Sequence, residues 1–514
     1  GNQQSNLSMR RIIAFVFAFN ALVAAAQPAF VKDSLDAFVE REMKRWQVPG
    51  LALAIVKDGK IVRCQGYGVR DFRKSEPVNE LTLFQIASNS KAFTGTAIAH
   101  LNYEKRLSLD EKVSRYLPYF KLYDPASTDM CTVRDVLCHR LGMQTFQGDF
   151  LNWGSKLSRK EIVEHMALTK PVHPFRYKYG YCNAGYITAG EVILAVTDTV
   201  WDDFIDARYF KPLGMKHTSS RYKEMVSDAN ACVPHSLVRG KLVAMNLTNI
   251  DNMGASASIN SCVADMANWL LMQLDSGRFN GKQVIPFPVL AETRRSNMIV
   301  NDVRSPIFKT KHFSTYGLGW SSYDYEGRRV WEHSGGANGF VTKTEFIPEE
   351  NLGILVYTNS DQNSLYDALV KQIIEAYFGM PYRNLSEKYF LAGVEGRKKE
   401  IAQQDSLVRL AEMVKKQKMV PDLKAFTGVY TNELYGTIEL KLEKGNLNMY
   451  MSQHPNNIGR LSYLGNDKFL CVYSDITCGE MVFPVKRDAS GKPIAIDVRV
   501  NDFIDYLPYT FLKN

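Results

Sequence analysis

Cysteine is scarce in this sequence: eight in 514 residues, at positions 64, 131, 138, 182, 232, 262, 471 and 478. That number does not make a disulfide scaffold in a chain so long. Cys471 and Cys478 flank an expected hairpin turn, where pairing across the turn and remaining free are equally open. There is no Cys-x-x-Cys pair, no His-Glu-x-x-His and no other metal-ligand spacing, and the nine histidines are scattered. No metal and no cofactor are therefore expected. Internal repeats and low-complexity tracts are missing too. After the first 26 residues no stretch is long and apolar enough to cross a bilayer. The formal charge of +9 is spread along the chain, with one basic cluster at Lys415-Lys416-Gln417-Lys418 and no nucleic-acid motif beside it, so no nucleic-acid partner is expected.

What is present is an ordinary globular composition, 45% hydrophobic and 23% charged. The length exceeds what one core usually organises, so two domains are expected. Met9-Arg10-Arg11, an apolar run over 12–26 and Ala24-Ala25-Ala26 before Gln27 read as a secretory signal cut after Ala26. The expected location is periplasmic or secreted, without a stable membrane span. Beyond this pre-sequence of 1–26, the sequence divides into a main domain over 27–383, a charged helix-prone linker over 384–420 and a β-rich domain over 421–514.

Leu35, Phe38, Val39, Met43 and Trp46 form one face of a helix that stops before Pro49-Gly50. Strands are expected over 51–56 and 61–69 around a tight turn at Lys57-Asp58-Gly59-Lys60. From 105 to 300 the pattern is mainly helical with long loops. Strands return over 316–322, 329–333, 340–347 and 352–358, followed by an amphipathic helix over 365–378. Strands at both ends of the main domain predict one antiparallel sheet built from the two chain ends. It is flanked by helices with an all-α lobe to one side, an α/β (α+β) fold. A site would lie in the cleft between sheet and lobe. Short alternating stretches from 424 onward predict an all-β sandwich or barrel.

The chemistry concentrates at Ser88-Asn89-Ser90-Lys91. Ala92, Phe93, Ala97, Ile98 and Leu101 recur at helical spacing, so Ser88 should open a helix that carries Lys91 one turn on, on the same face. The helix N-terminus favours a developing negative charge there, and a partly desolvated lysine can accept the serine proton. A second Ser-x-x-Lys, Ser220 to Lys223, lies in a polar stretch and reads as a surface turn. Tyr181-Cys182-Asn183 offers a tyrosine whose phenol, lowered by nearby positive charge, can act as base and return the proton to a leaving group. Asn183 can bond Lys91 and a substrate amide. Tyr-x-Asn also occurs at Tyr357 and Tyr430, at strand ends elsewhere in the chain. His333-Ser334-Gly335-Gly336 ends a strand and forms the far wall. The backbone N–H groups of Ser88 and Gly336 are the expected oxyanion donors.

Three elements in the order Ser-x-x-Lys, Tyr-x-Asn, His-Ser-Gly resemble the serine β-lactamase and penicillin-binding-protein superfamily. The branch is that of class C β-lactamases, DD-peptidases, D-aminopeptidases and related esterases. The phrases 84–94, 135–142, Tyr316-Gly317-Leu318-Gly319-Trp320 and 331–340 carry the resemblance, which spans roughly 30–380. It implies a β-lactamase/transpeptidase-like fold, Ser88 as acyl-accepting nucleophile and Lys91 with Tyr181 as the acid/base pair, either of which takes the serine proton. It also implies His333 as a substrate-side contact, beside Ser334, Gly335 and Asn183, which the residues themselves place on the substrate side. His333 stands where many β-lactamases of this group carry lysine; His139 reads as a structural loop residue and Cys182 as a small filler. The β-rich tail resembles a C-terminal domain of some exported members. The implied activity is hydrolysis of an amide or ester in a small-molecule or peptide substrate, a D-amino-acid-containing peptide or β-lactam-like compound. A small-ester esterase and a penicillin-binding sensor that does not turn over are the alternatives, and the oligomeric state stays open. A histidine at 333 that met a substrate carboxylate would bind it best below its own pKa, near ~6.5 when unperturbed.

Overall fold

The computed structural model describes residues 26–514; the basic start and most of the apolar run of the expected signal lie outside them. The first amphipathic helix, α1 (Leu35–Trp46), runs as its apolar spacing predicts and ends on Gln47, whose left-handed φ of 54° lets its N–H return to the last turn. Strands β1 (Gly50–Lys57) and β2 (Lys60–Gly68) follow as a hairpin about Asp58-Gly59.

Six further strands complete the sheet: β3 (Met298–Asn301), β4 (Ser314–Tyr316), β5 (Ser321–Tyr325), β6 (Arg328–Ala337), β7 (Phe340–Ile347) and β8 (Leu352–Thr358). Their order is β2-β1-β8-β7-β6-β5-β4-β3, antiparallel throughout. The two chain ends meet where β1 pairs with β8, Leu51 opposite Thr358. Alternation along β1 assigns the two faces. Leu51, Leu53 and Ile55 bury against α1 and the helix α5 (Leu365–Tyr377). Ala52, Ala54 and Val56 join the larger core with the helices α2 (Ser90–Tyr103), α3 (Asn183–Thr197) and α4 (Val263–Leu274). Each buried Leu, Ile or Val contributes roughly 1.5–3 kcal/mol, so a strand buried on both faces is a strong anchor for what is built on it.

Two expectations for the sheet change. The strand expected over 316–322 is broken into β4 and β5 by the turn Gly317-Leu318-Gly319-Trp320. Gly319, at φ 84°, packs so tightly on α2 that a Cβ there would come within 2.3 Å of the Lys91 carbonyl oxygen. The turn holds the backbone of the helix beneath the site. The edge strand β3 was not anticipated.

The charged segment after residue 383 is one 32-residue helix, α6 (Leu385–Lys416), capped by Asn384 accepting from Glu387 N–H. The basic cluster at its C-terminus complements the helix dipole. Beyond it, eight strands from β9 (Gly428–Asn432) to β16 (Tyr509–Lys513) close into a barrel. The expected strands belong to it, together with two that were not expected: the 12-residue strand His454–Gly465 and the closing strand β16. All eight cysteines are free, seven of them buried, and Cys471 and Cys478 are not paired.

Candidate functional site

Ser88 sits in a single 3-10 turn, Ala87–Asn89, directly ahead of α2. The turn is forced: buried Ala87 has φ 50°, a left-handed conformation that costs a residue with a Cβ about 1–3 kcal/mol and persists only when neighbours over-determine it. They do so through Ile86. Its N–H donates to Ile259 O (3.0 Å), and its carbonyl accepts from Asn89 N–H (3.2 Å), Asn89 Nδ2 (3.0 Å) and Thr342 Oγ1 (3.0 Å). Thr342 is on β7, opposite Gly335 of β6. A Cβ at Gly335 would lie 2.1 Å from Ile86 O, so the strand of the third motif is pressed onto the serine turn.

Lys91, the second residue of α2, lies one turn after Ser88 and has no exposed surface. Its Nζ is 2.9 Å from Ser88 Oγ, 2.7 Å from Asn183 Oδ1 and 2.8 Å from Ser256 O. The last two atoms can only accept, because Asn183 Nδ2 donates to the Asp149 carboxylate at 2.9 and 3.0 Å. A neutral amine would thus place both its N–H bonds on Asn183 and Ser256, leaving its lone pair for Ser88 O–H. Burial brings the Lys91 pKa down to about 7, opposed by the nearby Asp149 and Cys182, so the neutral form is well populated at ordinary pH.

Asp149 carries no motif in the sequence and was not anticipated. It is buried, and its carboxylate accepts from Asn152 Nδ2 (2.8 Å), Trp153 Nε1 (2.8 Å) and Asn183. Burial raises its pKa, while these donors and Lys91 resist the rise. Asn183 is therefore a relay between carboxylate and lysine. One of its two amide N–H groups is directed at that carboxylate, and Asn183 lines the same cleft as Ser88.

Tyr181 approaches from the loop ahead of α3, its ring centroid 4.7 Å from Lys91 Nζ. Its hydroxyl is buried near Ser88 without a well-formed hydrogen bond to any described residue. The expected lowering of its pKa does not occur. Burial pushes the phenol well above its usual value, the Ser88 hydroxyl opposing only in part. Beneath its ring lies His139, at φ 62° and 4.3 Å between centroids. His139 Nδ1 accepts from Cys182 N–H at 3.0 Å, so this loop histidine fixes the tyrosine segment from below. Asp135, in the same phrase, is bound by Arg140 (2.5 Å) and by Arg176 (2.7 and 3.0 Å), anchoring the two loops together. Cys182 is buried and its thiol pushed up to about 11, as befits a filler and not a nucleophile.

His333 is the largest correction. It is buried and bonded at both ring nitrogens. Nδ1 meets the Ser334 carbonyl at 2.7 Å, so Nδ1 bears the proton, and Nε2 at 2.8 Å accepts from Tyr316 O–H. Burial, with Lys91 and Lys343 nearby, lowers its pKa to about 3. His333 is neutral throughout the physiological range and is no cationic receptor for a carboxylate.

Ser88, Tyr181, Asn183, His333, Ser334 and Gly336 all line one cleft of about 550 Å³. Three carboxylates, Asp149, Glu332 and Asp361, also line it, but no lysine or arginine. Strand β5 pairs with β6 only as far as Glu332, so among the described residues the outer edge of 333–337 has no strand partner and faces the cleft. Ser220 is not among the residues that line it. The second Ser-x-x-Lys is not a surface turn either, because Ser220 is buried and donates to Asp202 at 2.7 Å, while Lys223 is exposed on the helix Tyr222–Val226.

The sequence model of the family described as Beta-lactamase matches residues 35–378. "Protein flp" of Staphylococcus aureus (strain NCTC 8325 / PS 47) is 27% identical over 332 residues, 64% of this chain and 63% of that protein. The match thus spans under two thirds of its length. "Unguisins hydrolase ungD" of Aspergillus violaceofuscus (strain CBS 115571) is 26% identical over 455 residues, 80% of this chain and 77% of that protein. Among solved structures, the octameric penicillin-binding protein homologue from Pyrococcus abyssi aligns over 93% of this chain and 99% of its own, with TM-score 0.58 and 21% identity. At that identity the likeness is one of fold.

Proposed function

Because this chain belongs to the β-lactamase family of serine hydrolases, we propose that it cleaves an amide or ester through an acyl-enzyme on Ser88. The observation that carries this reading is the environment of Lys91, whose two acceptor-only partners leave a lone pair for Ser88. Neutral Lys91 takes the Oγ proton as Oγ attacks the carbonyl carbon. The N–H groups of Ser88 and Gly336 stabilise the oxyanion. Tyr181, kept protonated by burial, gives its proton to the leaving amine or alcohol as that bond breaks and recovers one from Lys91. Water, deprotonated by the same pair, then hydrolyses the ester on Ser88.

The unpaired edge of β6 suits an extended substrate laid alongside it. A peptide containing D-amino acids, or a β-lactam-like compound, fits the family. The neutral His333 and the lack of a lysine or arginine lining the cleft favour substrates without a carboxylate beside the scissile bond, and this favours the small-ester reading as the alternative. The similar protein named as an unguisins hydrolase supports turnover over mere trapping. The basic and apolar start at 9–26 supports export, which N-terminal sequencing of the mature protein tests.

Labelling with a fluorophosphonate and with a fluorescent penicillin, followed by peptide mapping, tests the site. Modification at Ser88, absent from Ser88→Ala, is the expected result. Modification elsewhere would sink the proposal.

A further inference from the structure

The C-terminal barrel holds the chain on both sides of Asp149. Gly148 N–H donates to the Tyr509 hydroxyl at 3.1 Å, and Tyr509 in turn donates to Asp505 at 3.0 Å. The Phe150 carbonyl accepts from His454 Nε2 at 2.8 Å, and the Phe150 ring stacks on that imidazole at 4.0 Å and 3°. Farther along, Lys156 N–H donates to the Gln453 carbonyl at 2.9 Å. The gripped segment itself has only the short turn Asp149–Leu151 as regular structure.

We propose that the barrel is a positioning element of the hydrolytic machinery: by fixing Gly148 and Phe150, Tyr509 and His454 hold the Asp149 carboxylate on Asn183 and so aim Lys91 at Ser88. Each link in that chain is a hydrogen bond or a single peptide unit. The proposal rests on Lys91 being the group that activates Ser88. No lysine or arginine donates to the Asp149 carboxylate among the described residues, and its other side-chain donors, Asn152 and Trp153, belong to the same gripped stretch between Gly148 and Lys156. The other titratable groups facing this pair are Cys182, Tyr181, His139 and His333 from the main domain and Asp505 from the barrel. A barrel in this role affects turnover of every substrate, large or small, whereas one that only shapes access affects large substrates alone.

The test uses the full chain with Tyr509→Phe and His454→Phe, singly and together, and Asp149→Asn as reference. Tyr509→Phe deletes one oxygen and keeps the ring, so it reports even if the second substitution does not fold. On a small uncharged ester, the double variant is expected to lose roughly tenfold or more in kcat, because small misplacements of reacting groups are that costly, with KM nearly unchanged. Its acidic limb should shift to lower pH, the direction set by Asp149→Asn, since a weaker negative charge supports protonated Lys91 less. A folded double variant with wild-type kcat and an unmoved limb, beside a displaced Asp149→Asn, overturns the proposal. A wild-type protein unlabelled at Ser88 would instead overturn the reading of the site, a failure that is told apart by the labelling itself.

Discussion

Asp149 and Lys91 act on one another through Asn183, whose amide nitrogen donates to the carboxylate at 2.9 and 3.0 Å while its oxygen accepts from the amine at 2.7 Å. The amide thus orients both groups. Asn183→Leu should cut kcat for an uncharged ester by roughly 10²-fold, by analogy with the loss of a group that aligns reactants. Fluorophosphonate labelling of Ser88 should slow in parallel, measured by gel fluorescence against time.

The pH profile follows from Lys91. With its pKa near 7, and the neutral amine as the active form, kcat/KM for an uncharged ester should rise through that pH and level off above it. The phenol of Tyr181, raised by burial, should not limit the alkaline side until well above its ordinary range. A profile flat from pH 5 to 9 would mean that Lys91 is not the base.

His333 predicts an absence of effect. As a neutral ring bonded at both nitrogens, it should leave the ratio of kcat/KM values for a carboxylate-bearing peptide and an uncharged ester constant from pH 5 to 8. A ratio that falls with pH would show a cationic histidine and restore the carboxylate contact.

The strand beside the serine turn separates two adjacent glycines. Gly335→Ala places a methyl 2.1 Å from Ile86 O, whereas nothing lies within 4 Å of a Cβ at Gly336. Gly335→Ala should destabilise by about 1–3 kcal/mol, as overpacking does, and abolish Ser88 labelling; Gly336→Ala should keep the wild-type Tm. Thermal melts with labelling on the same samples check both.

Ser220→Ala removes a buried hydrogen bond to Asp202, which also holds Arg159. A loss of about 1 kcal/mol is expected, with full labelling retained. Loss of labelling in a folded Ser220→Ala protein would point to the wrong Ser-x-x-Lys.

Much of this arrangement was legible in the residues. Period and spacing predicted α1, β1, β7, β8 and the position of Ser88 ahead of α2, because each depends on local pattern. The break at Gly317–Trp320 was signalled by its two glycines, Gly319 at φ 84°, and was overlooked because the flanking residues carry strand propensity; the close approach of α2 shows why the glycine is needed. Asp149 was hidden for a different reason: an isolated Asp in a loop gains meaning only when Asn183, Trp153 and the barrel converge on it. The states of His333 and Tyr181 were misjudged because reference titration assumes solvent, and both are buried. The neighbouring Ser334 carbonyl fixes the proton of His333 on Nδ1, and the distant Tyr316 hydroxyl then fills Nε2.

The unpaired edge of β6 has a second consequence. A row of free backbone donors and acceptors invites another strand, including one from a neighbouring molecule, and proteins commonly blunt such edges with charge, proline or a bulge. Here the edge lies inside a cleft with Tyr181 and Phe146 among its lining residues and the barrel residues Phe503 and Ile504 at the same cavity. Walls so placed would narrow the approach to the edge for a bulky substrate and for a strand of another molecule alike. Trimming them to admit a bulkier substrate would expose the edge, so wider specificity and colloidal stability should trade against each other in this scaffold.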